Sequence, residues 1–166
     1  MRYKLLCTLV VFAFAVFASG QTKHTFSGKC AKPDNVQTLP AGDKDGHVFL
    51  VQQGKCTTEK GGEIGGAKSK EGTYVEHGDA TPTRVRVTGV YTESYDSGDK
   101  VFYDYQGNTI VKEGMPDSGT NKWQITGGTG KMKGIKGMGS CTFKGTSDGG
   151  LDFTCTGEHT LAAAKK

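Results

Sequence analysis

Fifteen residues near the C-terminus, Cys141-Thr-Phe-Lys-Gly-Thr-Ser-Asp-Gly-Gly-Leu-Asp-Phe-Thr-Cys155, are nearly symmetric about Asp148. Ser147-Asp148-Gly149-Gly150 at the centre is a turn signal, so the segment predicts a β-hairpin with its two cysteines facing each other across the strands. Once those cysteines are joined, the C-terminal part of the chain is committed to antiparallel sheet. Closing a loop of about 15 residues stabilises by about 3 kcal/mol in the chain-entropy account.

A disulfide needs an oxidising compartment, and the N-terminus predicts one. Arg2 and Lys4 precede an apolar run from Leu5 to Ala18, and Ala18-Ser19-Gly20 supplies the small residues that a signal peptidase reads. Fourteen apolar residues fall short of the roughly 20 that a membrane span needs. We read residues 1–20 as a signal peptide cleaved after Gly20, 21–161 as one domain and 162–166 as a frayed tail. The reading places the protein in the periplasm or outside the cell. Cys7 leaves with the signal. Of the three pairings open to Cys30, Cys56, Cys141 and Cys155, the hairpin favours Cys141 with Cys155, which leaves Cys30 with Cys56. No C-x-x-C spacing suggests a metal or redox site.

The chain has 21 Lys and Arg against 17 Asp and Glu; without Arg2 and Lys4 the excess is small and dispersed, which argues against nucleic acid as a partner. No segment beyond the signal sustains a helical period, whereas short β-branched and aromatic runs alternate with turn signals. That pattern is all-β. Strands are expected at 23–30, 47–52, 73–77, 83–95, 100–106, 109–113, 122–126, 131–144 and 151–161. Residues 32–46 are expected to connect, 54–72 to form a long polar loop, 106–108 a turn and 114–121 another loop. Hairpin-length links between such strands predict a barrel or sandwich.

Gly127-Gly128-Thr129-Gly130-Lys131 invites comparison with a phosphate-binding loop. Ile125 stands where the P-loop requires glycine, and Met132 where it requires Ser or Thr. We read these glycines as a tight turn, with Gly134, Gly137 and Gly139 letting the next strand bend. Lys131, Lys133 and Lys136, with Lys122 and Lys144, form a basic outer face open to an interaction partner or simply guarding against edge pairing. His24, His47, His77 and His159 are scattered singly, with no metal-ligand spacing and no cofactor motif. Function has to come from strand side chains facing a cavity. Glu76, Asp104 and Arg86 are the candidate catalytic groups, with an inward pairing of Glu76 or Asp104 with Arg84 or Arg86 as the distinguishing feature. Tyr91, Tyr103 and Trp123 are candidate ligand-binding residues. Alternation sets Arg84 and Arg86 opposite Val85 and Val87 without saying which pair faces inward.

Lys122-Trp-Gln-Ile-Thr-Gly-Gly-Thr-Gly-Lys-Met-Lys-Gly-Ile-Lys-Gly137 resembles the Gly-Gly-Thr-Gly-Lys-Tyr-Lys-Gly-Ile-Lys-Gly signature of bacterial secreted proteins in the allene oxide cyclase and dirigent-like barrel group. The resemblance runs from about His47 to the C-terminus. Met132 replaces the usual aromatic, and the four cysteines of the mature chain are a further departure. The resemblance implies an eight-stranded antiparallel barrel, similar to the calycins, with a central cavity. Plant members of that group cyclise an oxylipin epoxide or steer the radical coupling of phenols, largely by orienting a reactive substrate. Three functions are therefore expected in turn: binding of a small apolar or aromatic molecule, a cyclase or isomerase, and a surface interaction module.

Overall fold

The computed structural model describes residues 21–162; the predicted signal peptide, residues 1–20, lies outside them. Ten strands follow one another: β1 (Thr22–Cys30), β2 (Asn35–Pro40), β3 (Val48–Lys60), β4 (Glu63–Ile64), β5 (Ala67–Thr81), β6 (Arg84–Tyr95), β7 (Lys100–Lys112), β8 (Met115–Gly128), β9 (Lys136–Gly145) and β10 (Leu151–Thr160). All pairings are antiparallel. Eight strands close a barrel in the order β3-β1-β10-β9-β8-β7-β6-β5, with β5 returning to β3. This is the expected eight-stranded, disulfide-stapled antiparallel barrel. Among the described residues no helix is long and apolar enough to cross a membrane.

The barrel closes at an uneven seam. One edge of β3 is shared: Gly28–Cys30 of β1 pairs with Cys56–Thr58, and β2 pairs with Val48–Gln53 further back along the same strand. Cys30 and Cys56 are directly opposed there and disulfide-bonded. Cys141 and Cys155 are opposed across β9 and β10 and bonded likewise. Both pairings match the expectation. Cys141→Ser and Cys155→Ser should each lower stability by about 3 kcal/mol. Urea titration should give equal losses for the two variants, and unequal losses would mean that one cysteine has a second role.

Several expected loops are strand instead. Residues 54–72 are not a long loop but the end of β3, the two-residue β4 and the start of β5, joined by turns at Gly61-Gly62 and Gly65-Gly66. The inward positions of this stretch are Gly54, Cys56, Thr58, Gly62, Ile64, Ala67, Ser69 and Gly72, small or weakly apolar groups that hide the alternation. Residues 32–46 contain β2. Gly107 lies inside a continuous β7. β8 runs through the expected loop at 114–121, and Pro116 is accommodated at a register shift opposite Val111.

The glycines explain why a wide, aromatic-filled barrel is possible. A Cβ at Gly54 would lie 2.6 Å from the Tyr74 hydroxyl, at Gly89 2.7 Å from that of Tyr105, and at Gly119 2.2 Å from the Phe143 ring. Trp123 lies across two strands at once, because a Cβ at Gly139 or Gly157 would meet its ring at 2.3 or 2.4 Å. Each of these rings occupies the space a neighbouring side chain would have filled. Gly128 fits the same rule: it lies in β8 without positive φ, and its Cβ would meet the Met132 carbonyl oxygen at 2.5 Å. The expected left-handed turn falls later, at Gly130 and Gly134, flanking a 3-10 turn over Gly130–Met132.

Met132 and Ile135 fold back from that turn and are 0% and 2% exposed. With Ile64, Ala67, Tyr95 and Val101 they form a solid plug at one end of the barrel. The other end carries the turns after β5, β7 and β9 and the 31–34 link. Its inward residues, among them Leu50, Val85, Val87, Val111 and Leu151, are only half-buried. The barrel is a cup with one mouth.

Candidate functional site

Inside the cup is a cavity of about 240 Å³ whose walls come from all eight barrel strands. Its lining follows from parity. On β6 the odd residues Val85, Val87, Tyr91 and Glu93 face in, and on β5 the even residues Tyr74 and Glu76 do so. β7 contributes Tyr103 and Tyr105, and β8 contributes Asn121 and Trp123. The mouth is apolar and the interior carries hydroxyls and two carboxylates.

Glu93 lies deepest and is 3% exposed. Its Oε1 accepts hydrogen bonds from Thr58 Oγ1 at 3.1 Å and Ser69 Oγ at 2.5 Å. Its Oε2 accepts from the Tyr95 and Tyr103 hydroxyls, both at 3.2 Å. Glu76 lies nearer the mouth, paired with Gly89, whereas Glu93 pairs with Gly72. Four residues of β5 separate these levels, or about 13 Å along the strand. Glu76 accepts from Gln52 Nε2 and, at 2.6 Å, from the Tyr105 hydroxyl. Tyr74, Tyr91 and Tyr103 form the row between the carboxylates, and the Tyr91 and Tyr103 ring centroids are 5.8 Å apart.

Every tyrosine among the described residues faces this interior, and each phenol is harder to ionise than a free one. Burial pushes the Tyr91, Tyr95 and Tyr103 hydroxyls up, and the Glu93 charge adds to it. Burial followed by the Glu76 charge does the same for Tyr74 and Tyr105. The tyrosines therefore remain neutral donors across the physiological range. Two buried polar atoms of the lining have no hydrogen-bond partner among the described residues: Trp123 Nε1, on a side chain 7% exposed, and Asn121 Oδ1.

Of the residues singled out from sequence, Glu76, Tyr91, Tyr103 and Trp123 line the cavity together. Asp104, Arg84 and Arg86 are exposed on the outer face. The inward carboxylate–arginine pairing therefore does not form. Valine at 85 and 87 claims the interior, and strand alternation turns the arginines out. The sequence does not single out Glu93, although it shares the parity of Val85, Val87 and Tyr91. The histidines are not all solitary either: His24 Nδ1 and His159 Nδ1 are 3.1 Å apart beside Trp123, and burial lowers the pKa of both. No cluster of three or more His, Cys, Asp or Glu able to hold a metal occurs among the described residues. Lys122, Lys131, Lys133, Lys136 and Lys144 are exposed.

No protein-family model matches this chain. No curated protein matches it either. Among solved structures it is similar to the pterocarpan synthase dirigent protein GePTS1, at 13% sequence identity over 89% of each chain and a TM-score of 0.47. A likeness so distant says nothing of ligand or activity; the barrel is defined by the strand pairings above.

Proposed function

We propose that this protein is exported and binds a small apolar or aromatic molecule in the barrel cavity. Two disulfides suit an oxidising compartment. The observation that carries the reading is a one-mouthed cavity, apolar at the rim, with a buried and unpartnered Trp123 N–H in its wall. A volume of about 240 Å³ suits a molecule of one ring, since an engineered cavity of about 150 Å³ holds benzene. Thermal-shift and native mass spectrometric screening of single-ring compounds should reveal one-to-one complexes. Ligand at a hundred times its Kd should stabilise by about 2.7 kcal/mol. A panel yielding no complex at millimolar concentration would remove the reading.

A second reading, a cyclase or isomerase that works by holding its substrate in a reactive shape, draws on one contact. The Tyr105 hydroxyl donates to Glu76 at 2.6 Å within the cavity, an arrangement that can move a proton to or from a bound molecule. Recovery of a bound compound as an isomer of unchanged mass would favour it, and unchanged recovery leaves a binding protein.

A further inference from the structure

We propose that the cavity is a receptor for a small organic ammonium ion, bound at Glu76 among the rings of Tyr74, Tyr91 and Tyr105. The inference rests on the cavity reading above and adds the charge of the ligand.

The first support is an imbalance of charge. Even without Arg2 and Lys4 the chain carries more basic than acidic residues, yet among the described residues the cavity lining contains two glutamates and no lysine, arginine or histidine. Neither glutamate takes part in an ion pair among the described residues. Charge held away from water without an opposite partner is costly, so such groups are normally paired or saturated with hydrogen bonds.

The two glutamates differ in how that need is met. A carboxylate offers about four lone-pair positions. Four hydroxyl donors fill them at Glu93, so its chemistry is complete within the protein. Glu76 receives two donors and keeps the rest of its capacity toward the cavity. An ammonium ion, with its N–H donors and positive charge, supplies what is missing.

The surroundings suit the same guest. Cations are attracted to the faces of tyrosine and tryptophan, most strongly where water is excluded. Tyr74 lies one row from Glu76 and pairs with Tyr91, while Tyr105 is bonded to Glu76 itself. Because these phenols resist ionisation, they do not become competing anions. Trp123 Nε1 and Asn121 Oδ1, both buried without partners, offer one donor and one acceptor. A guest carrying a hydroxyl as well as its ammonium group would use both, accepting from Trp123 and donating to Asn121. The apolar rim then covers its hydrocarbon body. An aryl-alkylamine bearing one hydroxyl has this combination at the size the cavity allows.

Three probes of equal ring and similar length separate the outcomes in isothermal titration: tyramine, the neutral 4-ethylphenol and the anionic 4-hydroxyphenylacetate. Tyramine should bind at least about tenfold more tightly than 4-ethylphenol, and the anion should not bind measurably. Glu76→Gln keeps the shape of the side chain and its capacity to bond Gln52 and Tyr105. It should reduce tyramine to the affinity of 4-ethylphenol while leaving 4-ethylphenol unchanged. Equal affinity of wild-type protein for tyramine and 4-ethylphenol overturns the ammonium inference and leaves the cavity reading standing. Preferential tyramine binding that survives Glu76→Gln overturns the assignment to Glu76. Failure of all three probes overturns the ammonium inference, and the cavity reading falls with it only if the wider single-ring panel is also silent.

Discussion

Raising the pH past 10 should unfold this protein in one cooperative step, with its tyrosines ionising together. Tyr91, Tyr95, Tyr103 and Tyr105 are held neutral in the folded barrel by burial and by the glutamate charges. In the unfolded chain they ionise near pH 10. A phenol whose pKa is raised by folding contributes stability that is fully present below the unfolded value and is lost as pH climbs toward the folded one. Above pH 10 the unfolded state holds fewer protons, so stability falls as pH rises. With four such groups the slope approaches about 5 kcal/mol per pH unit. A domain of ordinary stability, about 5–15 kcal/mol, is exhausted within a few units. Tyrosinate absorbance and circular dichroism recorded together should show coincident transitions. Gradual tyrosinate formation centred near pH 10 in a still-folded protein would contradict the buried tyrosine interior.

The second large effect is expected at a residue with no side chain. Gly139→Ala should destabilise by about 3 kcal/mol, the upper range for overpacked cores. The new methyl would sit 2.3 Å from the Trp123 ring and 2.2 Å from the Thr156 carbonyl oxygen. The ring is wedged over Gly157 as well, and the carbonyl belongs to the backbone, so neither can yield without moving strands. Gly127→Ala is the internal control. It lies in the same hairpin region, but its nearest neighbour would be Phe102 at an ordinary 3.7 Å. Denaturant midpoints should separate the two variants clearly. A harmless Gly139→Ala would mean that Trp123 does not lie across β9 and β10.

These glycines also mark where sequence stops being informative. Cys141 and Cys155 could be paired in advance because their strands share one short loop, and local order carried the information. The partner of a slot glycine lies on another strand: Gly139 beneath Trp123, Gly119 beneath Phe143, Gly54 beneath Tyr74. Nothing within a few residues of Gly107 or Gly54 distinguishes a slot from a turn, so both read as turns or loops. The same blindness turned residues 54–72 into a loop, because Gly54, Cys56, Thr58 and Gly72 give no apolar alternation while their neighbours Lys55, Thr57 and Glu59 are plainly polar. Glu76, Tyr91, Tyr103 and Trp123 were legible as cavity residues in kind. Glu93 was not, since a glutamate between Thr92 and Ser94 reads as solvent-facing. Only its parity with Val85, Val87 and Tyr91 points inward, and the Thr58, Ser69, Tyr95 and Tyr103 hydroxyls around it make that position tenable; three of those residues come from other strands.

The plug formed by Met132, Ile135 and Ile64 means that entry and exit share one route. On the proposed binding role, a guest would enter leading end first, and only that end would meet Glu76 and the tyrosine row. Whatever trails past Leu50, Val111 and Leu151 lies in solvent. Such a cup would discriminate by terminus and not by overall length: a free amine and the same amine at the tip of a much longer chain would present the barrel with the same shape.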